Sequence, residues 1–409
     1  MLLLSALFKR IVTVGRLRVI DPQGRTLEFS GEPGPNSTVR IHDDATARAI
    51  ALNARLALGE AFMEGRLTVE DGDIYSFLEF CAHNEVRLSP SSWLTIVYQL
   101  ERLLRRFQQF NPVGKARDNV AHHYDLSGRL YELFLDSDRQ YSCAYFRTNN
   151  DTLEAAQDNK KRHIAAKLLL RPGSRVLDIG SGWGGLGIFL AKAGAGEVTG
   201  VTLSTEQYKV SNDRAAAAGL GSRVRFQLSD YRQLTGKFDR IVSVGMFEHV
   251  GLNHYKRFFD KVRDLLTDDG VALLHAIGRS DGPGVTNPWI RRYIFPGGYS
   301  PALSEVLPVV EKSGLFVTDI EILRLHYAET LREWRRRFNA ARDQIKALYD
   351  ERFCRMWEFY LAGSELAFRY HGHIVWQMQM AKRVDTVPLT RDYMFEWERT
   401  NAGRGNLAA

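Results

Sequence analysis

From residue 174 the chain alternates short, apolar, β-branched runs with helix-length segments: SRVLDIG, GGLGIFLAKAG, EVTGVTL, TEQYKVSNDRAAAAG, VRFQLSD, FDRIVSVG, NHYKRFFDKVRDLL, GVALLHAIG. Runs that apolar are buried on both faces, and helices between them supply the cover, so the pattern predicts an α/β fold with a mostly parallel sheet. Such sheets bind ligands beyond the carboxyl ends of their strands. Function is therefore sought at the strand ends.

Upstream the texture differs. GRLRVIDPQGRTLEFS predicts two short strands around an Asp-Pro-Gln-Gly turn, and TVRIHD a third. ATARAIALNARLALGEAFMEG, DIYSFLEFCAHN and SSWLTIVYQLERLLRRF follow as helices. Residues 1–104 thus read as a small α+β domain with no cluster of catalytic residue types. The polar, basic stretch 105–120, punctuated by Pro112 and Gly114, suits a linker to a second domain over 121–409. The tail from 328 to 382 reads as helix, with Trp334, Phe338, Ala341, Ile345 and Leu348 on one stripe and the Arg335–Arg337 run on a solvated face.

Composition narrows the partners. At 44% hydrophobic and 25% charged the chain is an ordinary globular one. Cys81, Cys143 and Cys354 form neither a disulfide framework nor a zinc pattern, which points to a reducing, cytosolic compartment. A net charge of +7 suggests an acidic partner, either nucleic acid or an anionic membrane surface. The N-terminal MLLLSALFKR is apolar first and basic second, the reverse of a secretory signal. It is too short to span a bilayer.

The strongest motif is VLDIGSGWGG. A buried strand carrying Asp178 runs into Gly180, Gly182 and two further glycines before a helix, so backbone amides can approach a ligand closely. This spacing, with Asp178 before it, favours S-adenosylmethionine (SAM) over a dinucleotide. The second strand ends in Thr202 and Leu203 without the usual acid for a ribose, leaving Gln207 as the nearest polar candidate. Ser204 and Gln207 also fit a capping box. Asp230 ends the third strand, placed either to accept from an adenine amino group or to cap. After the fourth strand, Glu248 sits where catalytic residues gather, and His275 in the fifth can face the same pocket. His249 reads as structural.

Taken together, HHYDLSGRLYELFL, QYSCAYF, VLDIGSGWGG, VTLSTEQ, SVGMFEHVG, LLHAIG and PWIRRYIFPGG resemble the cyclopropane-fatty-acyl-phospholipid synthase family, over about 118 to 400. The small first domain resembles the lipid-binding unit of phospholipid-acting members. The resemblance implies transfer of the SAM methyl to a cis double bond of a phospholipid acyl chain. Bicarbonate then takes a proton and the ring closes. It implies SAM contacts at Tyr141, Ser142, Asp178, Gly180, Gly182, Thr202, Leu203, Gln207, Asp230 and Tyr231. It further implies a bicarbonate pocket of Cys143, Glu248, His275, Ile277 and Tyr327, with Cys143 as a wall and not a nucleophile, and Glu248 placed to orient His275. One departure is Ser181, where the family commonly has cysteine. Members of the family are often dimers, and a cytoplasmic enzyme peripheral to the inner membrane face is expected. A methylene or methyl-branched product, a small-molecule methyltransferase and an inactive lipid-binding protein remain as rivals. A nucleic-acid methyltransferase is disfavoured because the chain carries no reader motif or Asn-Pro-Pro-Tyr-type element.

Overall fold

The structure, a computed structural model, describes residues 1–85 and 127–401. The expected linker 105–120, the helix predicted at 91–107 and the His122–Asp125 cluster lie outside the described residues. The chain forms two compact units, the first drawing on Met1–Arg105, Val285–Pro296 and Leu331–Gly372, the second on the remainder.

In the first unit, β1 (Val14–Ile20), β2 (Thr26–Ser30), β3 (Glu32–Ile41) and β4 (Leu67–Asp71) form a sheet in the order β2-β1-β3-β4. Asp21 builds the β1–β2 turn, its Oδ1 accepting from the amides of Gln23 and Arg25 at 3.0 and 2.8 Å. The helix Asp44–Met63 is broken at Asn53, which leaves helical geometry (φ −150°, ψ 71°). The helix Ile74–Glu85 is pinned to β1 by buried Asn84, whose Oδ1 accepts from the amides of Thr13 and Val14. Two segments that the sequence reading assigned to the second domain join this core. Trp289 packs its ring on Phe359 at 4.7 Å, and Phe359 lies 6.2 Å from Phe62.

The expected helical tail is corrected three times. Its stripe is cut after Ala340, so Leu348 lies 45% exposed while Trp334, Phe338 and Ile345 are buried. Arg335 is not on a solvated face: its Nε donates to buried Glu365 at 3.1 Å and its guanidinium covers the Tyr75 ring at 4.1 Å. Residues 373–381, expected as helix, are a strand.

The second unit holds the predicted sheet: β5 (Arg175–Ile179), β6 (Glu197–Thr202), β7 (Val224–Leu228), β8 (Phe238–Val244), β9 (Leu266–Arg279), β10 (Phe316–Ile322) and β11 (His373–Ala381), ordered β10-β11-β9-β8-β5-β6-β7. The pairs from β7 through to β9 are parallel, and β11 inserts antiparallel between β9 and β10. One apolar cluster gathers Phe247, Tyr255, Phe258 and Phe259; another gathers Ile164, Leu168, Leu190 and Phe226. Because the strand order reverses beside β5, a crevice opens at the ends of β5 and its neighbours. Among the described residues no helix is long and apolar enough to cross a membrane.

Candidate active site

One cleft occupies that crevice, and all ten residues expected to contact SAM line it: Tyr141, Ser142, Asp178, Gly180, Gly182, Thr202, Leu203, Gln207, Asp230 and Tyr231. Gly180 has φ +82°, and a Cβ there would stand 2.8 Å from Cβ of Met246, so only glycine makes this turn. The amides of Gly180 and Ser181 both donate to the carbonyl of Val201, which ties the turn to the end of β6. From the β5 end to the β7 end the cleft crosses two strand spacings, about 10 Å. That suits an elongated ligand whose polar groups are met one strand at a time.

At the β6 end the capping box is half formed. Ser204 Oγ accepts from the Gln207 amide at 3.3 Å, but Gln207 Oε1 accepts from Thr202 Oγ1 at 2.7 Å instead of turning back. The Gln207 amide group is thereby oriented by a buried hydroxyl. At the β7 end Asp230 both lines the cleft and caps its turn, accepting from the backbone and Nε of Arg232 at 2.9 and 2.8 Å. Burial acts upward on its carboxyl, yet the Arg232 contacts hold it below the usual carboxylate range. His249, read as structural, lines the cleft as well. Burial pulls its ring down to about 4, so it is a neutral wall at physiological pH.

The loop carrying Tyr141 and Ser142 is shaped from beneath by the helix Leu153–Lys167, whose polar side is buried. Gln157 Nε2 donates to the carbonyls of Gln140 and Ser142 at 3.2 and 3.0 Å. Lys160 Nζ donates to Gln140 Oε1 at 2.8 Å and Ser142 Oγ at 2.7 Å. Lys161 reaches Asp138 at 2.7 Å, and Arg214 holds Asp138 from the other side while donating to the Trp183 carbonyl. Asp178, 2% exposed, is pushed up to about 7 by burial, against the opposing charge of Lys160, and its Oδ2 has no partner among the described residues. None of Gln157, Lys160 or Lys161 stood out in the sequence, where TLEAAQDNKKRHIAAKLLL reads only as a helix.

The five residues expected around bicarbonate do not line this cleft; they fall in two groups, with Cys143, Glu248, His275 and Tyr327 buried and Ile277 half-buried. In one, Glu248 Oε1 accepts from the Ile277 amide at 2.6 Å, and Gln377 Nε2 lies 3.1 Å from Nδ1 of His275 across the β9–β11 pairing. This corrects two expectations. His275 is oriented by Gln377 and not by Glu248, and the Ile277 amide is engaged by Glu248 and not left for an anion. Burial holds the His275 ring well below its ordinary value. A neutral ring accepting at Nδ1 carries its proton on Nε2, so Nε2 is a donor. In the other group, buried Cys143 precedes Ala144, whose amide donates at 3.0 Å to Thr330 Oγ1, one helical turn beyond Tyr327. Burial pushes the Cys143 thiol far above its ordinary value, outweighing Lys160 and Thr330, so a thiolate nucleophile is disfavoured.

Comparison with known proteins places this geometry. Residues 113–378 match the family model for mycolic acid cyclopropane synthetase. The chain is 37% identical over 349 residues to the cyclopropane-fatty-acyl-phospholipid synthase of Escherichia coli K12, covering 85% of this chain and 88% of that one. It is likewise 37% identical over 381 residues to tuberculostearic acid methyltransferase UfaA1 of Mycobacterium tuberculosis, covering 89% and 87%. Among solved structures, mycolic acid cyclopropane synthase CmaA1 complexed with SAH and CTAB superposes with a TM-score of 0.62 at 34% identity, over 66% of this chain and 99% of that one. A glycine turn, a crevice at the sheet reversal and family matches across most of the chain lead to one conclusion: this chain belongs to the cyclopropane synthase family of SAM-dependent methyltransferases.

Proposed function

We propose that the chain transfers the methyl of SAM to a cis double bond in the acyl chain of an unsaturated phospholipid and closes a cyclopropane ring. The observation that carries this is the assembly of all ten SAM candidates on one cleft, with the Glu248–Ile277 and His275–Gln377 pairs buried behind the same strand ends.

Bound SAM supplies an electrophilic methyl on a sulfonium; the residues here hold it and shape where charge develops. The glycine turn and Ser142 meet the amino-acid end, Thr202 and Gln207 the ribose, and Asp230 the adenine. Methyl transfer leaves a cation on the acyl chain, and closing the ring requires loss of one proton from the new methyl. A buried carboxylate or thiolate in contact with that cation would be alkylated. The chain keeps such groups quiet: the Cys143 thiol is held protonated, and burial pushes Glu248 up to about 7, against the Ile277 amide.

The residues fit a small oxyanion such as bicarbonate. Bicarbonate supplies an exchangeable base that no alkylation can disable. Nε2–H of His275 is a fixed donor. Glu248 Oε2 is buried with no partner among the described residues, and in its protonated form it also donates. The partner of the first unit is read as a phospholipid surface, supported by the net charge of +7 and by Leu2 and Leu3 standing 90% and 62% exposed beside Lys9 and Arg10. On this reading the enzyme acts from the cytoplasmic face of the membrane.

The test incubates the protein with SAM and vesicles of cis-monounsaturated phospholipid, with and without bicarbonate, and resolves the fatty acids by gas chromatography and mass spectrometry. A bicarbonate-dependent product one CH2 heavier that co-elutes with a cyclopropane standard supports the reading. A second reading, a methylene or methyl-branched product, draws on the likeness to the tuberculostearic acid methyltransferase. An isomeric methylene product, or a product two hydrogens heavier, would establish it in place of ring closure.

A further inference from the structure

Ser142 lines the cleft, yet within the protein its hydroxyl only accepts. Lys160 Nζ donates to Oγ at 2.7 Å, and Gln157 occupies the Ser142 carbonyl at 3.0 Å. Among the described residues nothing accepts the Ser142 hydroxyl proton. Lys160 is equally unusual. It is 1% exposed, and both of its hydrogen bonds go to neutral acceptors, Gln140 Oε1 and Ser142 Oγ, with no carboxylate bonded to it among the described residues. A buried ammonium without a bonded counter-ion is costly, and burial pushes Lys160 down to about 8. Asp136 and Asp138 oppose that push without bonding to Nζ, so a ligand carboxylate would add a nearer negative charge.

We propose that Lys160 is the positioning residue of the cleft: its ammonium locks Gln140 and Ser142 as acceptors, which turns the Ser142 hydroxyl into a donor for the carboxylate at the methionine end of the ligand. The inference rests on reading the cleft as the SAM site. A charged Lys160 can only donate to Ser142, so the serine proton points away from it. A neutral Lys160 amine would accept that proton and withdraw the donor. The groups that face Nζ are Asp136, Asp138 and Cys143 from the loop, Lys161 from its own helix, Asp178 from β5 and His275 from β9. Asp136 is the foremost opposing charge on Nζ, although burial and Asp138 raise its carboxyl, and burial raises that of Asp178 to about 7; neither is hydrogen-bonded to Nζ among the described residues. Asp138 is held ionised, against burial, by Lys161 and Arg214, which already compensate it.

Binding is read by calorimetry with S-adenosylhomocysteine (SAH), alongside the melting temperature of each protein. Lys160→Met keeps the length of the side chain and removes its donors. It is expected to weaken SAH binding about 10-fold or more, since a hydrogen bond to a charged group is at stake. Ser142→Ala is expected to do the same, and the double variant to be no weaker than Lys160→Met alone, because one acts through the other. A ligand carboxylate beside Nζ raises its proton affinity, so wild type takes up protons on binding SAH at pH 8, measured in two buffers of different ionisation enthalpy. Lys160→Met loses that uptake, which a purely structural lysine would not produce. A folded Lys160→Met that binds within twofold of wild type overturns the inference. If Lys160→Met does not fold, Ser142→Ala decides in the same way, binding within twofold overturning it. Wild type that fails to bind SAH sinks the reading of the cleft itself, a separable outcome.

Discussion

Oε1 of Glu248 accepts the Ile277 amide at 2.6 Å, while its Oε2 is buried with no partner among the described residues. One oxygen is therefore anchored to β9 and the other is left for whatever enters. The anchor fixes the carboxyl plane without charge, so the free oxygen can serve as an acceptor when ionised or a donor when protonated.

Which form prevails follows from burial, which pushes Glu248 up to about 7, above its ordinary 4.5. The folded chain then holds this proton more tightly than the unfolded one. Its contribution to stability therefore declines as pH rises from 4.5 to 7 and stays lost above, at a cost of about 3 kcal/mol by the pKa difference. Glu248→Gln cannot ionise and keeps an acceptor for Ile277. Its melting temperature is expected to gain on wild type between pH 5 and pH 8, and an unchanged difference would refute the assignment. Glu248→Ala, which also loses the anchor, is expected to lose about 100-fold or more in turnover.

Gln377 decides the tautomer of His275. Gln377→Leu removes the donor to Nδ1 and frees the imidazole to place its proton on either nitrogen. Turnover is expected to fall by at least about 10-fold, with SAH affinity unchanged because neither residue lines the cleft. Equal losses in both would assign Gln377 to packing alone.

Cys143 is expected to resist iodoacetamide in the folded protein from pH 7 to 9 and to react once the chain is unfolded. It is 1% exposed, and burial pushes its thiol up. Peptide mass spectrometry follows the site. Rapid alkylation of the native protein would contradict both the burial and the protonated state.

His163 sets a pH limit on stability. Its Nδ1 lies 2.5 Å from Glu398 Oε1 and its Nε2 2.7 Å from Glu321 Oε2, so the doubly protonated ring serves both carboxylates. Burial acts downward on the ring, but the two acids outweigh it and raise its pKa above 6.5. The stabilisation is fully present below 6.5 and is lost as pH rises through the raised value. His163→Gln is expected to melt lower than wild type at pH 6, with the gap narrowing by pH 9. A gap that does not change with pH would assign the residue to packing.

The cleft was legible because its residues sit where strands end, and strand ends are marked by composition: VLDIGSG, VTLS and QLSD each pass from apolar to glycine or polar. The ground beneath it was not. The helix Leu153–Lys167 buries Gln157, Lys160, Lys161, His163 and Lys167, so its charged residues face inward against loop and sheet. Hydrophobic periodicity assumes the opposite. β11 was missed for a related reason: HIVWQMQMA carries Gln377 and Gln379 in the buried stretch from Val375 to Ala381, where each finds a specific partner in His275 and Tyr393. A polar residue satisfied by a distant one leaves no trace in local pattern.

The first unit takes its core from three stretches of the chain, the last ending near Gly372. During synthesis its sheet is made first, while the helix Glu351–Tyr370 that packs on the helices Asp44–Met63 and Ile74–Glu85 is made after strands β5 to β10. Until then Phe62, Phe77 and Phe80 lack the Phe359 and Ala362 side chains that share their cluster. The first unit therefore cannot close its core until strands β5 to β10 of the second have been made.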